Sequence, residues 1–216
     1  MKIFSVRSVP STKWSSDKPL NFSPKPITIF ILCLGLFLFG LGESLIITAS
    51  VGMSPWTVLA EGLSITTGLS IGTLTFLISL GVLLLWIPLK QQAGIGTILN
   101  AIIVAAVIEW SLPYLPHPET YAMQILQAVF GTLIVGVASG IYLIANLGPG
   151  PRDGLMTGCQ KATGLPIAWV RVFLEIVVIT IGWTLGGTVG IATVIFAIGV
   201  GPAVSMGLYL IASISK

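Results

Sequence analysis

The sequence predicts an all-α, polytopic membrane protein: six transmembrane helices in two inverted three-helix repeats, each repeat carrying a short broken or re-entrant helix. Composition, the length of the apolar runs and an internal repeat point to it. Of 216 residues, 55% are hydrophobic and 8% charged, against roughly 25% charged in soluble domains, and mean hydropathy is +1.02. Such a chain cannot cover a globule with polar surface, which excludes a soluble enzyme, a nucleic-acid binder and a secreted disulfide scaffold. The 25 glycines and 13 prolines interrupt apolar runs, as they do in membrane helices.

A bilayer core about 30 Å thick takes about 20 helical residues. Residues 1–26 form a polar, basic tail, expected to be cytoplasmic. The first apolar run follows over about 27–49, longer than the apolar part of a cleavable signal. Further runs occupy about 71–89 and 95–112, closing a first repeat over 27–116. After the proline-rich turn Leu112–Glu119, runs over about 121–145, 168–185 and 190–211 build a second repeat over 117–216. Between the first and second runs, and between the fourth and fifth, lie stretches too polar to span and too apolar for a loop.

The repeat emerges when the chain is slid against itself by 96 residues: 35–102 match 131–198 without a gap. The pairs Gly52/Gly148, Pro55/Pro151, Gly62/Gly158, Gly68/Gly164 and Gly94/Gly190 carry the signal, because glycine and proline mark backbone positions of special geometry. Three crossings per repeat force the second copy to start from the opposite side, so the copies are inverted. Cytoplasmic loops are enriched in Lys and Arg. With the N-terminus inside, Lys2, Arg7, Lys13, Lys18, Lys25, Lys90, Arg152, Lys161, Arg171 and Lys216 all fall on the cytoplasmic side. Both termini are therefore expected in the cytoplasm.

The two intermediate stretches share an order of local signals. A glycine (Gly52, Gly148) breaks the preceding helix, a small residue (Ser54, Gly150) stands at the N-cap, and Pro55 or Pro151 takes the first helical position, where proline fits. Gly68 and Gly164 are the expected stops. A short helix that starts at a break exposes free N–H groups and a positive dipole end. Within a membrane those groups need burial in protein or a watery cavity, and inverted-repeat transporters aim them at anionic substrate groups. Flat interfacial helices are the alternative. The substrate-binding candidates are therefore Ser54, Pro55, Trp56, Thr57, Asn146, Pro151, Arg152 and Asp153. Arg152 offers an anion fork, whereas its repeat mate is Trp56.

Ionisable groups inside spans are costly and are functional candidates by default. Glu43 has no cation within two turns and is the candidate for proton coupling. Arg171 and Glu175 stand at i,i+4, the spacing of a structural ion pair. Glu109 is expected to reach the outer interface and His117 to be solvated. Cys33 and Cys159 are too far apart in sequence to read as a metal pair, and neither a cofactor nor a metal site is expected.

The segments MSPWTVLAEG (Met53–Gly62), LGPGPRDGLMTG (Leu147–Gly158) and GGTVGIAT (Gly186–Thr193) resemble the YczE/YitT-like family of bacterial integral membrane proteins, YczE branch. The resemblance implies a multi-pass protein of the bacterial inner membrane, for which transport is a common suggestion. In that family an acid often follows the tryptophan of the first loop; here Thr57 stands there. The expected function is a small secondary transporter or exporter of a small molecule, with the lipid bilayer as partner, no nucleic acid, and a homo-oligomer compatible with these features. The other reading is a non-transporting scaffold or accessory subunit, for which the short-helix regions would be dry and fully packed.

Overall fold

The computed structural model describes residues 9–214, so Lys2, Arg7 and Lys216 lie outside the described residues. The chain forms α1 (Pro26–Thr48), α2 (Pro55–Thr67), α3 (Ile71–Trp86), α4 (Ile95–Ser111), a 3-10 turn at Leu112–Tyr114, α5 (Tyr121–Ile144), α6 (Pro151–Thr163), α7 (Ile167–Thr184) and α8 (Ile191–Ile214). Five helices are long and apolar enough to cross a membrane: α1, α4 with its 3-10 turn, α5, α7 and α8. A sixth span arises only if α2 and α3, which meet at 114°, count as one broken span. Within the expected run over 71–89 the helix ends three residues early. Helix α3 stops at Trp86 after 16 residues, about 24 Å at 1.5 Å per residue, because the chain turns at Ile87–Lys90 and Lys90 adopts a left-handed φ of 52°.

Both short helices form where the local signals place them. Each has proline at its first position and ends at a left-handed glycine, Gly68 with φ 76° and Gly164 with φ 72°. Their bounds differ by the 96 residues of the sequence match. The breaks before them match too: Gly52 and Gly148 have φ 106° and 104°. Contacts are exchanged between the halves. The Gly96 N–H donates to the Leu147 carbonyl at 2.7 Å, and the equivalent Ala192 N–H donates to the Val51 carbonyl at 2.9 Å. Helix α2 packs on α7, and α6 on α3.

At the centre, α1 and α5 lie antiparallel. A Cβ on Gly42 would stand 2.9 Å from the Gly131 carbonyl oxygen, and one on Gly35 would stand 3.0 Å from the Tyr142 nitrogen. Glycine at these positions lets two backbones approach closely where lipid offers no hydrophobic drive between helices. Elsewhere the molecule presents Phe30, Leu84, Trp169, Phe173, Trp183 and Ile198 outward, the surface expected to meet acyl chains.

The N-terminal segment is docked along residues 13–28. The Trp14 side chain packs against the core around Leu32, Leu36 and Tyr142. The Ser16 N–H donates to the Ala145 carbonyl at 3.1 Å, and Thr28 Oγ1 donates to the Trp14 carbonyl. This segment, the α3–α4 connection and the α5–α6 connection meet at one end of the molecule: Pro19 lies beside Gly94, and Leu89 and Gln91 lie beside Gly158. That end exposes Lys13, Lys18, Lys25, Lys90 and Lys161. The other end, where Val51 meets Ala192 and Glu61 accepts from the Thr188 N–H, carries the acids Glu61, Glu109 and Glu119.

Candidate functional site

A cavity of about 300 Å³ lies between the first turns of α2 and α6, and all eight helices or the breaks before them contribute to its wall. From the first half come Phe39 and Glu43 on α1, Ser54 and Trp56 at the start of α2, Thr75 and Ser79 on α3, and Asn100 and Val104 on α4. The positions 96 residues on line it as well: Val135, Ser139, Gly150, Arg152, Arg171, Glu175, Phe196 and Val200. Equivalent residues from the two halves thus face each other across one space. Their chemistry differs at nearly every pair, Glu43 against Ser139, Trp56 against Arg152, Thr75 against Arg171.

Glu43 is 1% exposed. Its Oε2 accepts from Ser54 Oγ at 2.7 Å and from Thr57 Oγ1 at 2.9 Å. Ser54 Oγ also lies 2.9 Å from Thr57 Oγ1; each hydroxyl has one proton to give, so the Ser54 proton goes either to Glu43 Oε2 or to Thr57, and the three groups form one closed cluster. Ser54 and Thr57 are the N-cap and third residue of α2, which fixes the carboxyl against the positive end of that helix. The second oxygen, Oε1, has no partner among the described residues. Buried polar atoms are paired in the great majority of cases. Trp56 Nε1 and Thr75 Oγ1 are the other unpartnered buried side-chain atoms among the described residues, and both residues line the same cavity.

Across the cavity, the Arg152 guanidinium sits over the Trp56 ring, 5.4 Å from its centroid. A stacked guanidinium keeps its edge N–H groups free for a planar oxoanion. The neighbouring Asp153 accepts from the Tyr142 hydroxyl, and Tyr142 is held edge-on to Phe39 with ring centroids 6.4 Å apart. Among the described residues one ion pair forms, Arg171 Nε to Glu175 Oε1 at 2.8 Å. Arg152 and Glu43 therefore form no ion pair with one another. The Trp86 indole donates to the Pro151 carbonyl at 3.0 Å, and a Cβ on Gly154 would stand 1.9 Å from the Trp86 ring. That contact seats the first turn of α6 on α3.

Of the expected candidates, the cavity gathers Glu43, Ser54, Trp56, Arg152 and Asp153, with Thr57 behind Glu43. Arg171 and Glu175 pair as expected and also line the wall. Pro55 and Pro151 are buried at their helix starts and do not line it. Asn146 is elsewhere: its Nδ2 donates to the Ser16 carbonyl at 2.8 Å, which fastens the N-terminal segment. Arg152 faces the cavity, and Arg171 lines it while 37% of its side chain stays exposed. Sequence reasoning missed Thr75, Ser79, Asn100, Ser139 and Tyr142. The available signal was the repeat itself, since Thr75, Ser79 and Ser139 are the mates of Arg171, Glu175 and Glu43 at the 96-residue offset.

The model of a family described as "Family of unknown function (DUF6198)" matches residues 26–207. An "Uncharacterized protein" of Haemophilus influenzae is 40% identical over 207 residues, covering 96% of this chain and 94% of its own. The "Uncharacterized membrane protein YczE" of Bacillus subtilis is 32% identical over 168 residues, 76% of this chain and 77% of that one. The "Uncharacterized protein YyaS" of the same organism is 25% identical over 167 residues, 75% and 83% of the two chains. No solved structure matches.

Proposed function

Since the chain belongs to the DUF6198 family of membrane proteins, a family without an assigned activity, we propose from its cavity that it is a small secondary transporter of the bacterial inner membrane. The observation that carries this reading is the meeting of the two short helices: Trp56 and Arg152, both second residues of their helices, touch across the cavity. Two helices lying flat on opposite faces of a bilayer core about 30 Å thick would not meet. A re-entrant arrangement brings both positive dipole ends to one polar chamber, the arrangement of inverted-repeat transporters. Equivalent helices α1 and α5 run antiparallel, which supports inversion of the repeats. The exchanged contacts of α2 with α7 and α6 with α3 supply two alike interfaces about which the halves rock.

Glu43 is the coupling group in this proposal. With Oε2 engaged in the Ser54–Thr57 hydroxyl cluster, Oε1 holds either a proton or a cationic group of a ligand, one at a time, the exclusivity that exchange requires. A dry, packed chamber would have favoured the scaffold reading; three unpartnered buried polar atoms on one cavity wall support the transporter.

Single cysteines at Ser54 and Gly150, in a Cys33→Ser, Cys159→Ser background, are labelled in oriented vesicles with impermeant maleimide from each side. Labelling of both positions from both sides is expected for a cavity with alternating access. Labelling of each position from one side only sinks the proposal.

A further inference from the structure

The walls of the cavity carry two opposite charges that form no direct ion pair with one another among the described residues. Glu43 is held by Ser54 and Thr57 on the first half, with Oε1 free. Arg152 is held by the Trp56 face, without an ion pair among the described residues. Asp153, beside it, accepts from the Tyr142 hydroxyl and forms no direct ion pair with Arg152 among the described residues, whereas Arg171 and Glu175 pair with each other. An uncompensated charge away from water is expensive, and removal of one partner from a buried pair leaves the other stranded. A ligand with one charge gives a direct partner to Glu43 Oε1 or to the Arg152 fork, and only one that carries both charges gives a partner to each.

From this we infer that the cavity takes a small zwitterion, its carboxylate or similar oxoanion on the Arg152 fork and Trp56 Nε1, its ammonium on Glu43 Oε1. The remaining wall fixes the body of the ligand. Phe39, Val104, Val135, Phe196 and Val200 present apolar surface to the same cavity, and a volume of about 300 Å³ is at the small end of ligand sites. An amino-acid-like molecule fits these terms, and a polyanion or a large lipid does not. The two halves of the protein contribute unequal parts, the first half the carboxyl and the second the guanidinium. A bound zwitterion therefore bridges the halves, which a single charge would not do. This inference rests on reading the cavity as a substrate site.

The test uses the full chain in lipid nanodiscs. Binding of L-leucine, L-phenylalanine and γ-aminobutyrate, which differ in body and charge separation, is measured beside the deaminated and decarboxylated counterparts: 4-methylpentanoate with isoamylamine, phenylpropanoate with phenethylamine, butyrate with propylamine. At least one zwitterion is expected to bind, with both of its single-charge counterparts at least about tenfold weaker, the scale of one charge-assisted hydrogen bond. Glu43→Gln should bring the zwitterion to the level of its acid, and Arg152→Gln to the level of its amine. Binding of an acid or of an amine equal to that of its zwitterion, or no binding of any of the three zwitterions, overturns the inference. The ligand series on the unaltered chain decides even if a variant fails to fold. In proteoliposomes, a zwitterion that binds but does not cross refutes transport and leaves the inference standing. Passage of single-charge compounds with no zwitterion bound does the reverse.

Discussion

Glu43 was conspicuous in the sequence, while its surroundings were not readable there. A lone acid in an apolar run is conspicuous because membranes tolerate few, but its partners Ser54 and Thr57 lie 11 and 14 residues away, brought back by the break at Gly52. Those hydroxyls are expected to matter energetically. Replacing both (Ser54→Ala with Thr57→Val) leaves a buried carboxyl without donors and should lower stability by about 1–3 kcal/mol, read as thermal unfolding in mild detergent. Adding Glu43→Gln should recover part of the loss, since an amide needs less compensation than a carboxylate. A double variant as stable as the parent would mean that the hydroxyls do not serve Glu43. Asn146 had the same kind of sequence signal as Ser54, a polar residue at a helix break, yet it binds the N-terminal segment. Only the path of that segment separates the two.

Helices α2 and α6 were readable almost to the residue, because proline at the first turn and a left-handed glycine at the end are local devices. Their docking was not readable, because it depends on which side chain is small where a neighbour is large. Trp86 and Gly182 occupy equivalent positions, as do Val58 and Gly154. Gly154 makes room for the Trp86 ring, and Gly182 makes room for the α2 backbone at Leu59, where a Cβ would come within 2.6 Å. Gly154→Ala and Gly182→Ala should each cost about 1–3 kcal/mol through overpacking and reduce the yield of folded protein on size-exclusion chromatography. Gly81→Ala is the control: nothing lies within 4 Å of the added Cβ, and removal of a mid-helix glycine favours the helix by about 1 kcal/mol. If all three variants behaved alike, the glycines at the short-helix contacts would have no role in docking.

On the scale of the whole molecule, five exposed lysines mark one end and three acids the other. Orientation should follow the lysines. With Lys13, Lys18, Lys25, Lys90 and Lys161 in the cytoplasm, an impermeant amine reagent applied to intact cells should leave them unmodified, and permeabilisation should expose them. Modification in intact cells would invert the proposed topology. Leaving Arg152 out of the surface count sharpens that signal, since a cation facing a cavity says little about sidedness. The sequence by itself determined the membrane class, the helical breaks, the 96-residue correspondence and the residues that carry charge, because all of these follow from local backbone chemistry and from the cost of placing polar groups in lipid. Which of those residues meet was decided by the tertiary structure alone. The antiparallel crossing of α1 on α5 and the exchanged docking of α2 and α6 bring positions about 100 residues apart to one cavity. Side-chain size at each contact, which no local rule encodes, sets where they stop.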